Sequence, residues 1–308
     1  MYRTILVGCD GSEHEVGAIA LAQQLREPHE GRLILGNSFP LYRGFSGPGL
    51  AIDYADWLRD QAFEMLEHAE AHVAYGVPCE RQAIASPSAA GGLNDLAETL
   101  NADLIVLGDS HHGLVGDLAG RKTIQRLLHG APCAVAVAAP GQSARFGGSP
   151  RIYVAYDASP EARFALETAY GIAAEMTATV VLCFVLEPLV FASGFYAVAP
   201  DVATDKARER AAHVELEDAA ALAPEGVTVE QQLLWGPPAH AVMEAASAAD
   251  LVVAGSRGFG ALHRALAGST SGELLKNGRT PVLVTPRTVA QRASVLVSGF
   301  GEKRPASA

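Results

Sequence analysis

Cysteine is scarce, aromatics are few, long apolar runs are missing, and positive charge is in deficit. The four cysteines, at 9, 79, 133 and 183, have no metal-ligand spacing. Three sit in apolar runs, where a reduced, buried thiol is the expected state. No stretch reaches the roughly eighteen apolar residues of a membrane helix. Met1-Tyr2-Arg3-Thr4 leads directly into a strand, so neither a signal peptide nor a span is expected, and the expected location is cytoplasmic. The formal net charge of −11 disfavours nonspecific binding to nucleic acid or to an anionic membrane. An anionic ligand must then be held by a local site, because the overall field repels it. Long polar tracts are also absent, and 49% of the 308 residues are hydrophobic. That balance suits two well-filled globular cores.

What is present is one unit written twice. Ile5-Leu6-Val7-Gly8-Cys9 ends at Asp10-Gly11-Ser12, and a shift of 147 residues finds Ile152-Tyr153-Val154-Ala155-Tyr156 ending at Asp157-Ala158-Ser159. The same shift pairs Leu33-Ile34-Leu35 with Val180-Val181-Leu182, and residues 102–108 with 249–255. A repeat this long makes each copy a domain with its own core. The expected domains are 1–140 and 151–287, joined by a linker over 141–150 rich in glycine and serine, with a tail over 288–308.

In copy one the pattern predicts strands at 5–9, 32–38, 80–84, 103–107 and 133–138. Helices are predicted at 12–26, 53–74, 88–100 and near 122–129. Strands separated by helices imply an α/β fold, a doubly wound parallel sheet covered on both faces. Ser12 with Glu15 has capping-box spacing, and Ser159 followed by Pro160-Glu161 reads as an N-cap with proline in the first turn.

Residues 252–286 carry the strongest signal. An apolar strand ends at Gly255, Gly258 follows after two residues, and Gly268-Ser269 comes nine residues later. A helix opens there, with capping-box spacing between Thr270 and Glu273. A strand, a glycine-rich loop and a helix N-terminus make an anion cradle: glycines admit close approach, N–H groups point at the ligand, and the helix dipole favours negative charge.

This loop closely resembles the nucleotide loop of the universal stress protein (UspA-like) family, in its ATP-binding branch and tandem form. The resemblance implies two five-stranded, Rossmann-like (adenine nucleotide alpha hydrolase-like) sheets of order 3-2-1-4-5. It implies ATP or another adenine nucleotide at the strand ends, with Mg2+ accompanying the phosphates if ATP is the ligand. The transferred positions are Gly255, Gly258, Gly268, Ser269 and Ser271, with Val185 where backbone groups read adenine. Asp157 reads two ways, as a ribose or adenine partner and as an Asx turn, and both can hold. In copy one Asp10 and Gly108 are retained, but His111 replaces the second glycine and Gly120-Arg121 replaces Gly-Ser. That loop reads as degenerate, with Arg121 and Lys122 as cations at a helix N-terminus.

Family members often pair through the fifth strand, here 133–138 and 282–285. An intramolecular pseudo-dimer of the two domains is therefore expected, with a homodimer of such units left open. The function that follows is a nucleotide-dependent stress sensor or regulator, without membrane or nucleic-acid partners. Two other readings stand beside it: a slow ATPase or an enzyme phosphorylating its own Ser269, and an interaction module with a vestigial loop. No residue is assigned as catalytic or metal-binding. His68 and His72 share a helix face but have no third ligand.

Overall fold

The structure is a computed structural model. It describes residues 1–40, 50–109, 117–141, 146, 148–188, 191–193, 196–198, 202–256, 270–277 and 279–285. Copy one runs β1 (Thr4–Gly8), α1 (His14–Leu25), β2 (Arg32–Pro40), α2 (Leu50–Glu70), β3 (Cys79–Ser86), α3 (Ala89–Leu100), β4 (Leu104–Leu107), α4 (Asp117–Gly130) and β5 (Ala134–Val137). Copy two begins with β6 (Arg151–Tyr156), α5 (Pro160–Met176), β7 (Thr179–Leu186), β8 (Phe191–Ser193), β9 (Tyr196–Val198) and α6 (Val202–Ala221). It continues with β10 (Thr228–Trp235), α7 (Pro238–Ala245), β11 (Leu251–Gly255), α8 (Thr270–Asn277) and β12 (Val282–Thr285).

Ten strands form one sheet in the order β10-β7-β6-β11-β12-β5-β4-β1-β2-β3. Each half has the order 3-2-1-4-5 that was expected. Within each half every pairing is parallel. The fifth strands meet antiparallel, Val137 opposite Val282, Ala136 opposite Leu283 and Val135 opposite Val284. Both carry four fully buried residues, because a strand at the centre of such a sheet is covered on both faces.

The side-chain period of two sorts the strands onto two cores. Ile5, Val7, Leu33, Leu35, Val154 and Leu182 join α1, α2, α5 and α6 on one face. Leu6, Ile34, Ile105, Val135, Val252 and Val284 join α3, α4, α7 and α8 on the other. A carboxylate ties the two inner strands of each half together at their N-terminal ends. Asp103 accepts from the N–H groups of Arg3 and Thr4 at 3.1 and 3.0 Å, and Asp250 accepts from Arg151 N–H at 2.8 Å.

Two helix boundaries and one added hairpin stand out against the sequence expectation. The helix expected over 53–74 stops at Glu70, so only His68 lies within it, and His68 and His72 are both exposed. The helix expected near 122 starts at Asp117, whose carboxyl suits a first helical turn. Copy two also has the antiparallel hairpin β8–β9, with Ser193 opposite Tyr196. Its signal was legible as two short runs containing aromatics around Gly194-Phe195. The loop 42–49 and the tail 288–308, with its apolar run 295–297, lie outside the described residues.

Cys9, Cys133 and Cys183 are buried and Cys79 is half-buried, all as free thiols. Burial pushes Cys79 up to about 11 and Cys133 and Cys183 up to about 12, and it raises Cys9 as well. Because the thiolate is the reactive form, the native protein should alkylate slowly at mildly alkaline pH, with Cys79 first. Mass spectrometry after iodoacetamide treatment, with and without denaturant, checks this order.

Candidate functional site

The winding reverses between β1 and β4, and again between β6 and β11, where neighbouring connections leave in opposite directions. Such a switch point leaves a crevice at the carboxyl ends of the strands. Asp157 follows β6, Gly255 ends β11, and the pairing of Ala155 with Ala254 brings them to the same end of adjacent strands. Val185 lies near the end of β7, half-buried, beside the same strand end. Asp10 and Gly108 occupy the matching crevice of copy one, where Val7 pairs with Val106.

The aspartate turns are alike in both copies. Asp10 Oδ1 accepts from Ser12 N–H, and Asp157 Oδ1 accepts from Ser159 N–H, each at 3.1 Å. The Asx-turn reading therefore holds, and both side chains still lie on the exposed surface of the crevice. The middle residue of each turn is left-handed, at φ +77° for Gly11 and φ +60° for Ala158. Glycine adopts this freely, whereas alanine is strained by about 1 kcal/mol. Copy two thus keeps a strained residue directly beside Asp157, a placement typical of sites where backbone geometry matters more than stability.

Ser159 caps α5 as expected, its hydroxyl accepting from Ala162 N–H at 3.2 Å, with Pro160 opening the helix. The capping box at Ser12 does not form. Helix α1 starts at His14 after Glu13 and has no side-chain cap. Glu15 reaches past Ser12 and takes the N–H of Gly11 at 3.1 Å. The reason is that the Asx turn already uses the Ser12 amide. Glu15 is only 7% exposed, and its counterpart in copy two is Ala162. Burial raises the Glu15 carboxyl above its ordinary range, and the Asp10 carboxylate reinforces this against the pull of the Gly11 amide.

Gly255 and Gly108 have a packing reason for being glycine. A Cβ at 255 would sit 2.4 Å from the carbonyl oxygen of Glu161, and one at 108 would sit 2.5 Å from that of His14. The first turn of α5, and of α1, rests directly on the end of the fourth strand. Ser271 lies in the first turn of α8 and is buried, at 3% exposed. Gly258, Gly268 and Ser269 lie outside the described residues, as do Arg257 and His111.

The copies part company at the helix after the loop. Helix α8 opens at Thr270, one residue beyond Ser269. Helix α4 opens at Asp117, so Gly120 closes its first turn and Arg121 and Lys122 lie beyond it, not at its N-terminus. The expectation of cations at a helix start is corrected accordingly, because amide groups beyond the first turn bond within the helix and offer nothing to an anion. Sequence reasoning also missed the buried polar residues at the strand ends: Asn37, Asp109, Ser256 and Thr285. Asn37 donates to Cys9 O at 2.8 Å and Ser256 N–H donates to Thr285 O at 2.9 Å. Their signal was a polar residue directly after, or at the end of, an apolar run.

A duplicated α/β sheet with an Asx turn and a sterically enforced glycine at each switch point defines a tandem protein of the doubly wound class. The sequence model of the Universal stress protein family matches residues 1–139 and 149–286, and the chain belongs to that family. A Thermus aquaticus protein described as a universal stress protein in the QAH/OAS sulfhydrylase 3′ region is 35% identical over 135 residues, covering 44% of this chain and 97% of that one. A universal stress protein from Archaeoglobus fulgidus has a solved structure that covers 92% of this chain and 98% of its own at 20% identity, with a TM-score of 0.66. A putative universal stress protein from Pseudomonas aeruginosa covers 96% and 98% at 22% identity, with a TM-score of 0.59. At such identities the two structures speak to the fold. Among the described residues no helix is long and apolar enough to cross a membrane.

Two outcomes are expected from this geometry. Gly255→Ala forces backbone apart from backbone and should cost about 1–3 kcal/mol in denaturant unfolding, as overpacking does. Glu15 has a folded-state pKa raised above its unfolded one, so its contribution is fully present at low pH and is lost as pH rises through the raised value. Glu15→Gln should therefore melt at or above the wild type at about pH 7, with the gap closing near pH 4. Melting curves across that range check it, and a wild-type advantage at neutral pH counts against it.

Proposed function

We propose that the protein binds ATP or a related adenine nucleotide in copy two and acts as a nucleotide-dependent sensor or regulator of the stress response. The observation that carries this reading is the switch-point crevice of copy two. There Asp157, on a strained turn, and Gly255 share one end of adjacent strands, and α8 opens directly after Gly268-Ser269. In this reading Gly258, Gly268 and Ser269 supply main-chain and hydroxyl donors to the phosphates, and the first turn of α8 adds its dipole. Charge-assisted hydrogen bonds of about 1.5–3 kcal/mol each, with roughly 0.3–1 kcal/mol from the dipole, leave micromolar affinity after the cost of association. Half-buried Val185 offers its backbone to the adenine edge, and the exposed Asp157 carboxylate is the partner for the ribose. If ATP is the ligand, Mg2+ enters with the phosphates. The donor set suits that order, since the described part of the crevice has one exposed carboxylate and no cluster that could hold the ion alone.

Copy one takes a supporting role in this reading. Its helix α4 starts too early to present amides after Gly120, and Glu15 puts a buried carboxylate under its Asp10 turn. The antiparallel seam of β5 and β12 is the contact through which the two copies act as a pseudo-dimer inside one chain. The site of action is the cytoplasm.

The purified protein, denatured and cleared, should release an adenine nucleotide that ion-exchange chromatography identifies. Gly258→Val and Ser269→Arg should each weaken ATP binding at least tenfold while leaving the melting curve unchanged. Equal affinity in both variants would place the cradle elsewhere. Phosphate release at about one per second or faster in a single-turnover assay would make the protein an enzyme instead.

A further inference from the structure

A second cavity lies at the seam of the two copies and shares no lining residue with the proposed nucleotide cradle, although its Thr285 pairs with Gly255 in the sheet. It has a volume of about 230 Å³ and opens where the N-terminal end of copy one meets α5 and the end of β12. Tyr2 and Asp103 line it from copy one, and Phe164, Glu167, Gly171 and Thr285 from copy two. We propose that this seam cavity binds a small organic ammonium ion.

The duplication does not produce the cavity by itself. The 147-residue offset sets Phe164 against Gly17, Glu167 against Ala20, Gly171 against Gln24 and Thr285 against Ala138. The copy-two half of the wall therefore has no equivalent at the matching positions of copy one, and copy one adds Tyr2 and Asp103. Gly171 sits in the interior of a seventeen-residue helix, where glycine is the least favourable ordinary residue. A Cβ at 171 would meet nothing within 4 Å, so packing does not demand glycine there, and its effect is to leave the space open.

The polar groups point to one ligand chemistry. The Thr285 hydroxyl is buried, with the residue 2% exposed, and has no hydrogen-bond partner. Buried hydroxyls are normally satisfied, and a donor entering the cavity satisfies this one. Asp103 and Glu167 bring two carboxylates to the wall, and among the described lining residues there is no lysine or arginine. Asp103 holds its place through Oδ2, which accepts from Arg3 and Thr4 N–H and leaves the other oxygen for a ligand. The excess negative charge rejects anions, while Tyr2 and Phe164 add aromatic surface that favours a cation. The volume is below that of sites for drug-sized molecules, which fits an ammonium group on a short alkyl chain.

Isothermal titration of the full chain with n-butylammonium chloride, at low salt, tests this, with butan-1-ol and sodium butyrate as neutral and anionic isosteres. Saturable 1:1 binding at least tenfold tighter than for either isostere is expected. Glu167→Gln should weaken it at least fivefold, and Gly171→Leu, which fills the space, should abolish it. Thr285→Val provides a second variant should Gly171→Leu fail to fold, and it should weaken binding as well. Absence of saturable binding, equal affinity for butanol, or unchanged affinity in a folded Gly171→Leu protein overturns the proposal. ATP titration of the same variants separates the two sites, since nucleotide affinity should not follow the ammonium response.

Discussion

The contact on which the crevice depends is backbone against backbone. In each copy the first turn of the helix after strand one rests on the end of strand four at a distance that leaves no room for a Cβ. That approach fixes where α1 and α5 begin, and so where the aspartate turns stand. It also closes the crevice from one side, so that a ligand at the switch point meets strand ends and turn amides. Glycine at 108 and 255 thus serves packing first. Any service to a phosphate is added to a position already restricted to glycine by sterics.

The second constraint is the seam. Two parallel half-sheets would each leave the fifth strand as an open edge, and open edges invite pairing with other chains. Joining β5 to β12 removes both, at the cost of one antiparallel pairing in an otherwise parallel sheet. The outer edges that remain, β3 and β10, carry charged residues, among them Glu80 and Arg81 on one and Glu230 on the other. Arg32 and Arg151 hold Glu80 and Glu230 from the inner strands, at 2.9 and 2.5 Å. Charged side chains on edge strands discourage addition of a further strand.

Within that frame the two copies have diverged by changing what surrounds a shared skeleton. The Asx turn, the glycine after strand four and the carboxylate tie at the strand starts are common to both. Among the differences are Glu15 against Ala162, Gln24 against Gly171, and an early α4 against a late α8.

The sequence by itself determined the duplication, the alternation of strand and helix, and the end of the first strand of each copy at an Asp-x-Ser turn. Those features are local, set by apolar period, turn chemistry and an offset of constant length. The sheet order came from the family resemblance carried by the glycine loop, and the structure has it. Only the tertiary structure decided what the local signals meant. Glu15 read as a capping residue, yet the Asx turn had already taken the amide it was meant to complement. Gly255 read as room for a phosphate, yet the carbonyl of Glu161, ninety-four positions away in sequence, already requires it. The seam cavity could not be read at all, because its walls come from both copies and meet only when β5 lies against β12. Distances across the chain are set by packing, and spacing along the chain does not record them.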